Sequence, residues 1–172
     1  MKIILVGYMG CGKSYIGHLL SSLIKYTHFD LDNLIEKIYN LTINLIFKKI
    51  GENKFRLIEK NILNLFLKNK KYKKYILSVG GGTPCFYNNM EKINKIGITF
   101  YLKTHYKILY NRLLKDNQNR PILKNYKNKK LFNFIKNHIN ERKKYYLKSK
   151  YIINTNNMTF IEVAKYIKNR YI

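Results

Sequence analysis

The segment Gly7-Tyr8-Met9-Gly10-Cys11-Gly12-Lys13-Ser14 satisfies G-x-x-x-x-G-K-[ST] at every fixed position. Its glycines let the backbone curl until several N–H groups face one point, and a helix starting there adds its positive end. Such a cradle suits a phosphate group. Lys13 can reach the β- and γ-phosphates of a nucleoside triphosphate, and the Ser14 hydroxyl can ligate Mg2+. An ordinary glycine-rich turn needs neither Lys nor Ser directly after its last glycine. Phosphoryl transfer to a bound acceptor needs no thiol nucleophile, so Cys11 is read as part of the loop.

Further along stand residues that could serve an acceptor. Asp30 and Asp32 close the second strand-like run. Residues two apart on a strand share a side, so both carboxylates are expected at the carboxyl end of that strand, the ligand edge of an open α/β sheet. One can hold the water shell of a metal while the other takes a proton from an acceptor hydroxyl. A plain helix N-cap would equally account for Asp32. Arg56 and Glu59, three apart on a helical pattern, share a face. They fit a surface ion pair, or an arginine clamp on an acceptor carboxylate with Glu59 fixing its rotamer. Gly80-Gly81-Gly82 ends the third strand and permits close approach of an acceptor to backbone. Arg120 lies in the polar segment 116–128, which has no apolar periodicity and reads as a mobile surface loop. An arginine on such a lid can neutralise transition-state charge as closure excludes water. Arg142, late in a long helical stretch, could complete a two-arginine clamp.

Positioning these groups requires alternating elements. Strand-like runs fall at 3–6, 27–29, 75–79, 98–102 and 151–154. Helical patterns lie between them near 14–25, 33–48, 52–68, 88–96, 105–115, 127–148 and 159–170. Such alternation predicts a parallel sheet covered by helices on both faces. The length of 172 residues suits one domain spanning 1–172. No apolar run reaches the length of a membrane span, and the first strand is too short for a signal segment, which predicts a cytoplasmic protein. The two cysteines are expected to be reduced thiols.

The formal charge of +25, from 34 Lys+Arg against 9 Asp+Glu, invites a nucleic-acid reading. Against it, the lysines are spread along the chain, and the abundance of Lys, Asn, Ile and Tyr is what an AT-rich genome writes into any protein. The charge is therefore read as a solvated surface, one that could assist capture of an anionic substrate.

Taken in order, GxMGxGKS, FDxDxxIE, FRxxE, GGG, RPIL and R-x-x-x-Y resemble shikimate kinase over nearly the whole chain. Singly these motifs are weak; six in this order are specific. The resemblance implies a three-layer P-loop kinase fold, a five-stranded parallel sheet of order 2-3-1-4-5 with a mobile lid at about 112–126. The phosphate loop would be 7–14 and the acceptor-binding region about 31–60. The implied reaction moves the γ-phosphoryl group of ATP to the 3-hydroxyl of shikimate, in aromatic amino-acid biosynthesis. By this resemblance Gly10, Cys11, Gly12, Lys13, Ser14, Tyr15, Arg112 and Arg120 contact ATP, with Arg112 stacking on adenine and Arg120 acting from the lid. Ser14 and Asp30 would position Mg2+. Asp32 would be the base. Arg56, Gly80, Gly81, Gly82 and Arg142 would hold shikimate, with Phe47 and Phe55 lining its apolar side. A monomer is expected, with no specific nucleic-acid or membrane partner. The sequence departs from the pattern at Val79, where the family often has Thr, and in lacking prolines after Arg142 and near 155–160. Two rivals stay open: a gluconate-type or other small-molecule kinase, and a basic nucleic-acid-binding ATPase. The absence of a strand ending in an apolar run plus Asp counts against the second.

Overall fold

The structure, a computed structural model, describes residues 1–115 and 128–172. Strands β1 (Lys2–Val6), β2 (Thr27–Asp30), β3 (Tyr75–Ser78), β4 (Ile98–Lys103) and β5 (Tyr151–Asn154) form one sheet in the order β2-β3-β1-β4-β5. Every neighbouring pair is parallel, with Leu5 opposite Ser78 on one side and Phe100 on the other. This is the expected order. After Lys2 the central strand is apolar: Ile3, Ile4, Leu5 and Val6 are wholly buried, because helices cover the sheet on both faces. Edge strand β2 carries Thr27 and His28 and stays partly exposed.

Helices α1 (Lys13–Ile24), α2 (Leu31–Tyr39), α3 (Ile43–Lys68), α4 (Asn89–Ile96), α5 (Tyr106–Lys115), α6 (Asn128–Tyr146) and α7 (Phe160–Tyr171) connect the strands. Most lie within two residues of the expected bounds. The exception is 33–48, which is not one helix. Asn40 ends α2 in the left-handed region (φ 49°), a conformation its short polar side chain tolerates. Thr42 then opens α3, its hydroxyl accepting from the Leu45 N–H. The Glu36 carboxylate accepts from the Ile43 N–H at 2.8 Å and secures the corner. Apolar periodicity runs through this corner, so the pattern hid two local caps. Helix α3 in turn breaks at Gly51 (φ 75°), close to the expected interruption. A 3-10 helix, Thr83–Cys85, follows the three glycines and was not expected; Pro84 sits in its first turn.

Candidate active site

The loop after β1 and the start of α1 form the floor of a cavity of about 440 Å³ at the carboxyl edge of the sheet. Met9, Gly10, Gly12, Lys13, Ser14 and Tyr15 line it from the loop, and Asp30, Asp32, Gly81 and Arg112 from other elements. Gly12 is needed by position: its φ is 95°, and a Cβ there would run into the Phe160 ring. The Lys13 ammonium donates to the carbonyls of Gly7 (2.9 Å) and Tyr8 (3.1 Å), so it is held across the loop it would serve.

At the rim the Ser14 hydroxyl donates to Asp30 Oδ2 at 2.5 Å. The other Asp30 oxygen accepts from the Asp32 and Asn33 N–H groups. Asp30, not Asp32, is therefore the N-cap of α2. That corrects the placement of both aspartates on one strand: Asp30 ends β2, whereas Asp32 lies in the first turn of α2. Capping turns the chain between them, and the Asp32 side chain is carried inward over Gly80, where an added Cβ would come within 3.0 Å of its Oδ1. Asp32 is held in a poorly hydrated position, with Asp30 and Glu59 adding negative charge. Its carboxyl is pushed from 3.8 up to about 7, against opposing pulls from Lys13 and Arg56.

The second half of the site is built from side chains. Arg56 and Glu59 are no surface pair: they are 4% and 0% exposed. Arg56 Nη1 donates to Glu59 Oε2 at 3.0 Å, while its Nε and Nη2 both donate to Glu52 Oε1. Glu59 spends its other oxygen on the Thr83 hydroxyl at 2.7 Å. The guanidinium also faces the rings of Phe47, Phe55 and Phe86, at 5.6, 5.2 and 4.9 Å from their centroids. Gly82 lies against the same guanidinium so closely that any Cβ would collide with it. Arg142, on α6, is 7% exposed, and its Nη1 finds no hydrogen-bond partner among the described residues. Arg142 and Arg56 both add positive charge beside Cys85 and His138, opposing the effect of burial on the thiol and pushing the imidazole down. Tyr146, at the end of α6, donates to the Gly81 carbonyl at 2.6 Å.

A sequence model of the shikimate kinase family matches residues 9–171. A shikimate kinase from Bacteroides fragilis is 37% identical over 152 residues, 88% of this chain and 83% of that protein. The crystal structure of the Bacteroides thetaiotaomicron shikimate kinase superposes with a TM-score of 0.88 at 32% identity, over 98% of this chain and 97% of that one. A shikimate kinase from Acinetobacter baumannii, solved in complex with shikimate, gives 0.87 at 30% identity over 99% and 95%. The chain belongs to the shikimate kinase family. It is thus an ATP-dependent phosphotransferase of the P-loop kinase fold.

Within this family member Lys13, Ser14, Asp30, Asp32, Gly81 and Arg112, among the expected site residues, line one cavity. Arg112, expected at adenine, has its guanidinium 4.7 Å above the Phe160 ring and donates to the Gly10 carbonyl at 3.3 Å. Its plane is thereby fixed beside the loop, next to the half-exposed Tyr15, whose ring lies 5.3 Å from Phe160. Arg120 and most of the expected lid at 112–126 lie outside the described residues. Sequence reasoning missed Glu52 and Phe86; Phe160 ends the segment 155–160, which the resemblance places at the adenine. Glu52 and Arg56 are four apart on a helix, a spacing that could have flagged the pair. Nothing local to Phe86 marks it, because it reaches the site through the fold.

Proposed function

We propose that this chain transfers the γ-phosphoryl group of ATP to the 3-hydroxyl of shikimate, giving shikimate 3-phosphate, ADP and a proton. The observation that carries this reading is a pair of buried arginines, Arg56 and Arg142, the second with an Nη1 that has no hydrogen-bond partner among the described residues. A buried cation is stable only when paired, and a planar guanidinium matches a carboxylate. An acceptor with a carboxylate on a hydroxylated ring answers that demand, and the collar of Phe47, Phe55 and Phe86 suits the ring's apolar side. The roles follow. Lys13 and the loop amides of Gly10, Cys11 and Gly12 hold phosphate oxygens; Lys13 stabilises the charge that builds on the transferred group. Arg112 and Tyr15 serve the base end of ATP. Asp32, poised near neutral pH, accepts the acceptor proton as the oxygen attacks phosphorus. Gly80 and Gly81 let the acceptor lie against the backbone beside Asp32.

Ser14 and Asp30 present hard oxygen donors at the phosphate end. Among the described residues no cluster of three acidic, His or Cys ligands exists. One carboxylate and one hydroxyl fit Mg2+, which keeps several waters and leans on substrate phosphates, and when bound it would screen the phosphate charge. Arg120 is proposed as the lid arginine, the chain as one domain acting as a cytoplasmic monomer, and the +25 charge as solvated surface. Among the described residues no helix is long and apolar enough to cross a membrane.

The test is an ADP-release assay with shikimate, gluconate or no acceptor. Shikimate-dependent release is expected; preference for gluconate, or release indifferent to acceptor, would overturn the reading.

A further inference from the structure

Tyr8 occupies a variable position of the phosphate loop, yet it is 2% exposed and reaches across the cleft. Its hydroxyl lies 2.9 Å from Nδ1 of His138, 130 residues away on α6, and the two rings meet edge-on with centroids 5.6 Å apart. The same residue's carbonyl accepts from Lys13 at 3.1 Å. One turn along α6 from His138 stands Arg142, on the same face. Burial and the neighbouring charges of Arg142 and Arg56 push His138 down to about 4. The ring is therefore neutral at ordinary pH, and Nδ1 can accept from the Tyr8 hydroxyl. The first turns of α6 are held by the buried Leu131 and Ile135 and by Phe132 edge-on against Tyr106 and Tyr110 of α5. The Tyr8–His138 bond reaches this helix on the face that bears Arg142.

We propose that Tyr8 and His138 are positioning residues: their hydrogen bond ties α6 to the phosphate loop and sets where Arg142 meets the acceptor carboxylate. This rests on the reading of Arg142 as part of the carboxylate clamp. Neither residue touches the reacting atoms. The bond acts through Arg142, so its loss should fall on acceptor binding more than on the chemical step.

The experiment is steady-state kinetics of the full chain with ATP and shikimate. The set is Tyr8→Phe, His138→Leu, His138→Asn, the double variant Tyr8→Phe/His138→Leu, and Arg142→Lys. Asn keeps an acceptor oxygen near the place of Nδ1; Leu keeps bulk alone. Tyr8→Phe and His138→Leu should each raise the shikimate KM by roughly 3- to 10-fold, the range of one neutral hydrogen bond, with a smaller change in kcat. The double variant should be no worse than either single, since both remove one bond. His138→Asn should return KM to within about twofold of wild type, by the same bond-energy argument. Three results overturn the proposal: an unchanged shikimate KM in Tyr8→Phe and His138→Leu, multiplying losses in the double variant, or a His138→Asn as impaired as His138→Leu. If Arg142→Lys itself leaves the shikimate KM unchanged, the clamp reading fails first, and the two failures are told apart.

Discussion

The two ends of the cleft are built on different principles. The proposed phosphate end is built mainly on one unbroken segment, 7–14, whose backbone amides, Lys13 and Ser14 are fixed by the turn from β1 into α1, with Asp30 reaching Ser14 from β2. The acceptor end draws Asp32 from α2, Arg56 and Glu59 from α3, Gly80–82 from the loop after β3 and Arg142 from α6. Backbone amides at a helix start cost little to hold in place. Side chains from three helices must instead be buried, charged and mutually paired. The difference teaches where each end is vulnerable: the first to loss of a single group that meets phosphate, the second to any change in a shared network.

The largest effect should come from the phosphate end. Lys13→Ala is expected to abolish phosphoryl transfer while the fold survives, since Lys13 crosses a loop and not the core. Near-normal turnover in a folded Lys13→Ala protein would break the comparison at its simpler side. Next, Asp32→Asn keeps the shape but cannot accept a proton, and kcat should fall by ~10^2–10^4 with ATP affinity little changed. Lost ATP affinity with retained kcat would mean that Asp30 and Asp32 have exchanged roles. Because Asp32 is raised to about 7, kcat/KM for the acceptor should drop as pH falls below that value, and Asp32→Asn should erase the limb. The stability consequence has the opposite sense. The folded carboxyl keeps a proton that the unfolded chain releases between 3.8 and about 7, so wild-type stability declines as pH rises through that window. The Tm advantage of Asp32→Asn should therefore be larger at pH 8 than at pH 5; an equal advantage at both would remove the cause assigned to the shift.

At the acceptor end, Arg56→Lys and Arg142→Lys keep charge but lose the planar fork. Each should lower kcat/KM by about one to two decades, the equivalent of a hydrogen bond to a charged group. With one carboxylate shared between them, the double variant should lose less than the sum. Strict additivity would place the arginines on different ligand groups. The smallest effect concerns the surface: duplex DNA should bind weakly and release steeply with salt, without altering turnover. Tight binding that survives physiological salt would give the charge a partner.

The same contrast explains what could be read from the chain. The phosphate loop is local and its motif complete, so Gly10 through Ser14 were legible as a site before any fold. The alternation of elements predicted a parallel sheet covered on both faces, and the resemblance supplied its order, which is the observed one. The residues proposed for the acceptor could be picked out as a set through the order of motifs, but their physical states could not. Arg56 and Glu59 read equally well as a surface pair, since helical spacing carries no information about burial. The N-cap role passed from Asp32 to Asp30 because a cap is decided by local φ and ψ, not by a two-residue spacing. The corner at Asn40–Thr42 was hidden because apolar periodicity outlasts a helix break. Phe86 owes its place to tertiary packing, whereas Glu52 reaches Arg56 along one helix.

The central claim is that two buried arginines, converging from distant parts of the chain, select a carboxylate. It is tested most directly by comparing turnover of shikimate with that of its neutral carboxamide in wild type, Arg56→Lys and Arg142→Lys. Strong wild-type preference for the acid, weakened in both lysine variants, is the predicted result. Equal use of acid and amide by the wild type would contradict it: no carboxylate clamp would exist at this site, even with the phosphate end intact.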